Sequence, residues 1–216
     1  MMTYKQLTGF HCILDVGCRL GLPIRCLWRL GLRTRVIGVD VYVEYLRRVK
    51  KLAIYDDRVL ASATRLPFKE NSFDPLICLN VVEHLQKERG ITALEELSRV
   101  AHAVIVTTSV GFVEADADPL NPFQKHMSGW YSEDLKYLGY KVRGFGWFRI
   151  PSLSRLVPFL VLLNVVLVPL LRCAPRFAYH MYGVRRRNPC ESINEHFPSN
   201  GSVRNPMDYT RDILSK

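Results

Sequence analysis

Residues 13–21 read ILDVGCRLG, a short apolar run followed by a turn that contains two glycines. The apolar run predicts a buried strand just before the turn. Gly17 and Gly21 permit a tight turn and a close approach of the backbone to a ligand. Pro23 then begins a helix that Gly31 ends, and the first amides of that helix point toward the same place. This strand, turn and helix therefore predict a ligand site where the strand ends.

Strand-like and helix-like segments continue to alternate after this unit. Short apolar runs are followed by stripes at helical spacing, such as Tyr42, Leu46 and Val49. Alternation of this kind predicts β-α-β units, and continuous apolar strands indicate a sheet that is covered on both faces. The predicted fold class is α/β, a Rossmann-like doubly wound, mostly parallel seven-stranded sheet with helices on both faces and an added apolar helical insertion. Further strands are predicted at 35–40, 58–61, 73–79, 103–106, 140–148 and 181–185, and further helices at 42–49, 91–100 and 132–138.

Length and composition bound the organisation of the chain. Its 216 residues are 48% hydrophobic and 23% charged, which excludes a wholly disordered chain. We expect one domain over 1–187, with the apolar and basic insertion at about 150–176, and a polar, loosely ordered tail over 188–216. The six cysteines form no C-x-x-C pair and no zinc-finger spacing with histidine, so neither a disulfide framework nor a metal is expected. A secretory signal is not visible at the N-terminus, so a cytoplasmic location is expected.

Positive charge is concentrated beside the most apolar part of the sequence. The formal net charge is +10, and residues 135–190 hold ten Lys and Arg but no Asp or Glu. A surplus of this size favours anionic partners, which include phosphate groups, nucleic acid and an anionic membrane surface. Residues 185–187 are three arginines, which favour either contact with anionic lipid headgroups or a solvated strand end.

The apolar run over 156–171 leaves three interpretations open. As a helix it would be roughly 24 Å long at about 1.5 Å per residue, which is shorter than the hydrocarbon core of about 30 Å. In the first, the segment dips into one leaflet with arginines at the headgroups. In the second, it is a buried helix or a wall of a substrate pocket, and in the third it is a helix that spans the bilayer. Its predicted position between the last two strands favours a role in substrate delivery.

An acidic residue closes the second predicted strand. In a doubly wound sheet, ligands bind beyond the carboxyl ends of the strands, where the strand order reverses. Asp40 stands at such an end, and a carboxylate there can accept two hydrogen bonds from a ribose diol. Asp40 therefore predicts a nucleoside ligand.

Three segments together resemble the class I S-adenosylmethionine-dependent methyltransferases. They are ILDVGCRLG at 13–21, VIGVD at 36–40 and ATRLPFKENSFDPLICLNVVEHL at 63–85. The sequence is most similar to the type 11 branch, which includes many small-molecule, quinone and lipid methyltransferases, and the resemblance runs over about 13–148. It implies that the protein is an enzyme with S-adenosylmethionine as cofactor.

The resemblance also implies cofactor-binding roles for eight residues. The loop around the methionine part of the cofactor corresponds to Asp15, Gly17, Cys18 and Gly21, and the acid on the ribose to Asp40. The adenine side corresponds to Ser62 and Ala63, and the position near the sulfonium to Asn80.

Two residues depart from the family pattern at these positions. Arg19 stands where the family has the middle glycine of its loop, and Ser62 stands where it has an Asp. A side chain at Arg19 strains the turn if φ is positive there. A methyltransferase-like protein that has lost its activity and serves as a membrane-bound partner of another protein is therefore an alternative.

Two histidines are candidate catalytic residues. A hydroxyl acceptor needs a base, and imidazole titrates near neutrality. His84 follows the fourth predicted strand, and His126 lies in the loop after the fifth. Each has a structural alternative, as a capping or packing residue.

The leading functional interpretation is a methyltransferase for a hydrophobic or membrane-associated small molecule such as a lipid, isoprenoid or quinone. We expect a peripheral or monotopic association with an anionic membrane surface, and a protein partner is also compatible with the pattern. An RNA methyltransferase is a further alternative, although no stacking platform of aromatic and basic residues is visible, so nucleic acid is not the expected partner.

Overall fold

The computed structural model describes residues 11–115, 119, 121–148 and 172–186. Within these ranges the chain forms seven strands and four α-helices. The strands are β1 (Cys12–Val16), β2 (Arg35–Asp40), β3 (Asp57–Leu60), β4 (Phe73–Leu79), β5 (Ala101–Ser109), β6 (Lys141–Phe148) and β7 (Ala178–Arg186). The helices are α1 (Leu22–Arg29), α2 (Val43–Lys50), α3 (Lys87–Val100) and α4 (Ser132–Tyr137).

The strands form one sheet in the order β3-β2-β1-β4-β5-β7-β6. Strands β1 to β5 run parallel to one another, and β7 runs antiparallel to both β5 and β6. The chain moves outward in one direction from β1 and in the other from β4, so the strand order reverses between them. The doubly wound, mostly parallel seven-stranded sheet is confirmed, and its crevice lies at the carboxyl ends of β1 and β4.

Helices cover both faces of the sheet because successive strand residues point to opposite sides. On one face Ile13 of β1 packs in a buried cluster with Ile24 of α1 and Val49 of α2. On the other face Leu14 of β1 packs in a cluster with Leu97 of α3. The two clusters account for the continuous apolar runs from which the strands were predicted.

Two strands extend beyond their predicted limits. β5 continues through Thr107, Thr108 and Ser109 because these polar residues pair with β7. The prediction ended this strand at Val106 because it followed hydrophobicity alone, and β7 was predicted too short for the same reason. α3 begins at Lys87 rather than at 91, since its first turn is polar and exposed.

The connection from β6 to β7 leaves and rejoins the sheet at one edge. Phe148, the last residue of β6, pairs with Ala178, the first of β7. Ser109, the last residue of β5, pairs with His180. Residues 149–177 are therefore anchored at the edge where the parallel strands have their carboxyl ends.

The predicted insertion at about 150–176 and the tail over 188–216 lie, except for 172–176, outside the described residues, so both stay predictions. Among the helices that the structure describes, none is long and apolar enough to cross a membrane.

Trp130 fixes the loop before α4 onto α3. Its ring is fully buried, its Nε1 donates to Ser128 Oγ over 2.9 Å, and the Lys87 ammonium lies 4.0 Å from its ring centroid. Gly90 of α3 lies directly beneath the ring, so an added Cβ would overlap the indole. The loop thus rests against α3 through one closely packed contact.

We predict that Gly90→Ala destabilises the protein although alanine is the better helix former. The overlap with Trp130 costs about 1–3 kcal/mol, which outweighs a gain of about 1 kcal/mol in helix propensity. Urea unfolding measures the difference. Glu95→Ala, on the exposed face of the same helix, changes the free energy of unfolding by less than about 0.5 kcal/mol. A more stable Gly90→Ala protein would contradict this packing.

Candidate functional site

The turn after β1 is held close to β2 and to the loop after β4. The amides of Gly17 and Cys18 both donate to the carbonyl of Val39, over 2.8 and 3.0 Å. Gly17 has φ of +75°, and an added Cβ would overlap the side chain of Val81. Glycine is thus required at Gly17 by both backbone conformation and space, which accounts for its place in the motif.

Asp40 ties the loops after β1 and β2 together. Its Oδ2 accepts from the amide of Arg19 over 3.0 Å, and its Oδ1 accepts from the amide of Tyr42 over 2.9 Å. Burial raises the pKa of Asp40, and these two hydrogen bonds lower it. Because a carboxylate oxygen has two lone pairs, each oxygen can accept a further hydrogen bond from a ligand.

Arg19 adopts the conformation that the family's glycine would adopt. Its φ is +44°, which costs a non-glycine residue roughly 1–2 kcal/mol. The side chain is exposed, with its guanidinium 5.9 Å from the ring centroid of Tyr45. The strain expected from the sequence is therefore present, but the turn keeps its shape and the guanidinium lies at the rim of the cavity beyond it.

A buried carboxyl lies beneath this turn. Asp15 accepts a hydrogen bond of 2.6 Å from the hydroxyl of Tyr55. Burial raises the pKa of Asp15 to about 7, while the Tyr55 hydrogen bond lowers it and the charge of Asp40 raises it further. Cys18 is also buried, and Gly21 packs against the Tyr55 ring. Three predicted cofactor residues therefore support the loop from below.

A cavity of about 340 Å³ opens at the carboxyl ends of the strands, within the range of about 300–1,000 Å³ typical of small-molecule sites. Six of the ten predicted site residues line it. They are Gly17, Asp40, Ser62, Ala63, Asn80 and His84. Asp15, Cys18, Gly21 and His126 do not line it. Several other residues that line the cavity are not predicted as site residues from the sequence, namely Val41, Tyr45, Arg89, Asn121, Phe123 and Met127.

One of these further residues carries an unpaired polar group. Asn121 is 1% exposed, and its Oδ1 accepts from the amide of Phe123 over 3.0 Å. In the part of the chain that the structure describes, its Nδ2 has no hydrogen-bond partner. A buried donor without a partner is costly, so Asn121 offers a hydrogen bond to a cavity ligand.

The two candidate histidines meet at one side of the cavity. Their rings contact edge to face, with centroids 4.8 Å apart. His84 belongs to a 3₁₀ turn over Val82–His84 before α3 and lines the cavity, whereas His126 stands behind it. Burial lowers the pKa of His84, and the nearby Lys125 carbonyl raises it. The structure thus joins two histidines that the sequence separates by a strand and a loop.

Glu83 lies beside this pair and was not selected as a catalytic residue from the sequence. Its carbonyl accepts from the amides of Met127 and Ser128, over 2.7 and 3.2 Å, which fixes the His126 loop to the turn. Its side chain is 3% exposed, and burial raises its pKa to about 7.

Comparison with known proteins finds similarity to methyltransferases over part of the chain. Residues 14–104 match the sequence model of a methyltransferase domain family. An uncharacterized protein of Methanocaldococcus jannaschii is 26% identical over 161 residues, which are 71% of this chain and 66% of that protein. The match spans slightly less than two thirds of that relative's length.

Two solved structures share the fold at low sequence identity. A SAM dependent methyltransferase from Archaeoglobus fulgidus has a TM-score of 0.54 and 17% identity, with 84% of this chain and 88% of that chain covered. Magnesium protoporphyrin IX methyltransferase from Synechocystis, determined with bound SAH, has a TM-score of 0.52 and 18% identity, with 85% and 77% covered.

We predict that Asp15→Asn removes a pH-dependent loss of stability. Asp15 has a pKa of about 7 in the folded protein and 3.8 without its surroundings, so between about pH 4 and 7 the folded state binds more protons than the unfolded state. Stability conferred by the protonated carboxyl is then lost as pH rises, by at most about 1.4 kcal/mol per pH unit. The free energy of unfolding of Asp15→Asn, relative to wild type, rises across this window and levels off above it.

Urea unfolding at a series of pH values measures this difference. Tyr55→Phe removes the hydrogen bond that lowers the pKa of Asp15, so its pH-dependent loss continues to higher pH than in wild type. A stability difference between wild type and Asp15→Asn that does not change between pH 4 and 7 would contradict the raised pKa.

Proposed function

We propose that this chain is an S-adenosylmethionine-dependent methyltransferase that methylates a hydrophobic small molecule taken from a membrane surface. The match of residues 14–104 to a methyltransferase domain family and the shared fold support the first part of this proposal. The observation that carries the proposal is the register of β6 and β7, by which the connection between them leaves and rejoins the sheet at the edge where the parallel strands have their carboxyl ends, the edge on which the cavity also opens. The sequence of that connection contains the apolar run at 156–171 and lacks any acidic residue.

The cavity residues fit S-adenosylmethionine. The cofactor supplies a methyl group on a positively charged sulfur. Asp40 has acceptor sites for the ribose hydroxyls, and the unpaired Nδ2 of Asn121 can donate to the bound cofactor. Ala63 and Val41 offer apolar surface for a flat base, and Ser62 adds a hydroxyl where relatives have an acid. Asn80 directly follows β4 and lines the cavity, so it would contact the cofactor from this side.

The acceptor side of the cavity is suited to an apolar molecule. Phe123 and Met127 line it and are half exposed, so an apolar acceptor that covers them gains about 25 cal/mol per Å² buried. His84 is the polar group on this wall, with His126 behind it. We assign the contact with the acceptor atom to His84, and to His126 the support of the His84 ring. Alignment of acceptor and methyl group supplies much of the acceleration in such a displacement.

Exposed aromatic residues support membrane contact at the same edge. Phe177 is 48% exposed just before β7, and the guanidinium of Arg176 lies 4.7 Å from its ring centroid. Tyr179, the second residue of β7, is 40% exposed. Aromatic rings with adjacent arginines are typical of protein surfaces that meet anionic headgroups. The cavity opens on the same edge of the sheet, so in this proposal an apolar acceptor enters it from the membrane.

We predict that the full chain floats with vesicles that contain anionic phospholipid in a density gradient. Leu163→Glu, in the apolar run, lowers the floated fraction severalfold because a charge in hydrocarbon is costly. Raising the salt concentration also lowers it, because the basic residues contribute through screened attraction.

Leu30→Glu is the matched control. It introduces the same charge at a residue that is 60% exposed at the far end of α1, away from the cavity edge, and leaves flotation unchanged. A wild-type protein that stays at the bottom of the gradient with all vesicles would contradict the membrane proposal. Salt-sensitive binding to RNA in its place would favour the RNA alternative.

A further inference from the structure

Three metal-ligating side chains converge behind the acceptor wall of the cavity. One carboxylate oxygen of Glu83 and one ring nitrogen each of His84 and His126 all lie within 4.8 Å of one another. Bond lengths of about 2.0–2.2 Å to an ion keep two ligand atoms within roughly 4.4 Å. Small side-chain rotations therefore bring the three atoms around one ion.

Backbone carbonyls fix the orientation of both imidazole rings. Nδ1 of His84 lies 3.2 Å from the carbonyl of Lys125, and Nδ1 of His126 lies 2.6 Å from the carbonyl of Val113. Because a carbonyl can only accept, each Nδ1 carries the hydrogen and each Nε2 keeps its lone pair. Metal-binding histidines are oriented in this way, by a hydrogen bond from the nitrogen that does not bind the ion.

Glu83 supplies an independent sign of a missing ligand. The residue is 97% buried, since only 3% of its surface is exposed. Among the described residues its Oε2 makes no hydrogen bond of normal geometry, although the hydroxyl of Thr108, which is also buried and unpaired, lies near the carboxyl. A buried carboxylate oxygen without a partner costs more than it would in water, and a cation removes that cost.

We propose that Glu83, His84 and His126 bind a divalent transition-metal ion beside the methyl-transfer cavity. Two imidazoles and one carboxylate suit Zn²⁺, Co²⁺, Fe²⁺ or Mn²⁺. The sequence predicts no metal because its cysteines lack the spacing of a zinc site, a criterion that does not detect a site made of one glutamate and two histidines. The fold brings them together through the 3₁₀ turn before α3 and the loop after β5.

The ion also defines the acceptor chemistry, an inference that rests on the proposed function. Three protein ligands leave coordination positions for another molecule, and His84 borders the cavity. An acceptor with a hydroxyl or phenol oxygen would bind there, and coordination would lower the pKa of that oxygen. The imidazoles would then act as ligands, which replaces the role of general base predicted from the sequence.

The test is a titration of the full chain, without a histidine tag, with Co²⁺ in the absence of cofactor and acceptor. We expect one Co²⁺ per chain with visible d–d absorption, and its displacement by Zn²⁺. His126→Ala and Glu83→Gln each weaken Co²⁺ binding by about tenfold or more, the scale on which even supporting residues act at metal sites. His102→Ala is the control, because His102 is exposed at the opposite end of β5, and it leaves binding unchanged.

Loss of the Co²⁺ spectrum counts only if circular dichroism shows that the variant is folded, and His126→Asn replaces His126→Ala if it is not. A wild-type chain that binds no Co²⁺, or folded His126 and Glu83 variants that bind it as tightly as wild type, would overturn the proposal. The Co²⁺ titration contains no cofactor, so a negative result does not bear on the proposed methyl transfer. Failure to bind S-adenosylmethionine likewise does not bear on the proposed metal site.

Discussion

The carboxylate of Asp40 holds the cofactor edge of this protein together. Its two oxygens accept the amides of Arg19 and Tyr42, so the loops after β1 and β2 are fixed by one side chain. The loop after β1 can then keep a left-handed turn even though arginine occupies the position that favours glycine. Below it, the hydrogen bond between Asp15 and Tyr55 supports the same turn from the protein interior. The site therefore depends on a small set of buried polar contacts among apolar strands.

The sheet topology explains why different chemical groups meet at this edge. The strand order reverses between β1 and β4, which opens the cavity at the carboxyl ends of the parallel strands. The turn after β4 brings Glu83 and His84 there, and the loop after β5 brings His126 against them. Because β7 runs antiparallel to β5, the connection over 149–177 begins and ends at the same edge. The cavity and the candidate metal site are thus neighbours through the fold rather than through the sequence.

Much of the fold could be predicted because the continuous apolar strands indicate a sheet covered on both faces, and the apolar stripes at helical spacing indicate the helices that cover it. β2 and β4 were predicted with their observed limits, whereas Thr107, Thr108 and Ser109 of β5 were missed because polar residues that pair through the backbone carry no hydrophobic signal. Gly17 and Asp40 could be predicted from local motifs, because each is marked by its position at the end of a predicted strand. Tyr55, Asn121 and the partnership of Glu83 with the histidines could not be predicted, because each depends on contacts between segments far apart in sequence. The decisive signal for them is burial of a polar atom, which only the structure reveals.

The central claim is that Asp40 and the turn above it hold the nucleoside of the methyl donor. Calorimetric titration with S-adenosylmethionine tests it directly, with Asp40→Asn as the variant and Asp57→Asn as a control at an exposed acid at the start of β3. Wild type and Asp57→Asn are expected to bind one cofactor per chain with equal affinity. Asp40→Asn is expected to bind at least tenfold more weakly, since hydrogen bonds to a charged group contribute about 1.5–3 kcal/mol. No heat from the wild type at millimolar cofactor, or an Asp40→Asn protein that binds as tightly as wild type, would contradict the account.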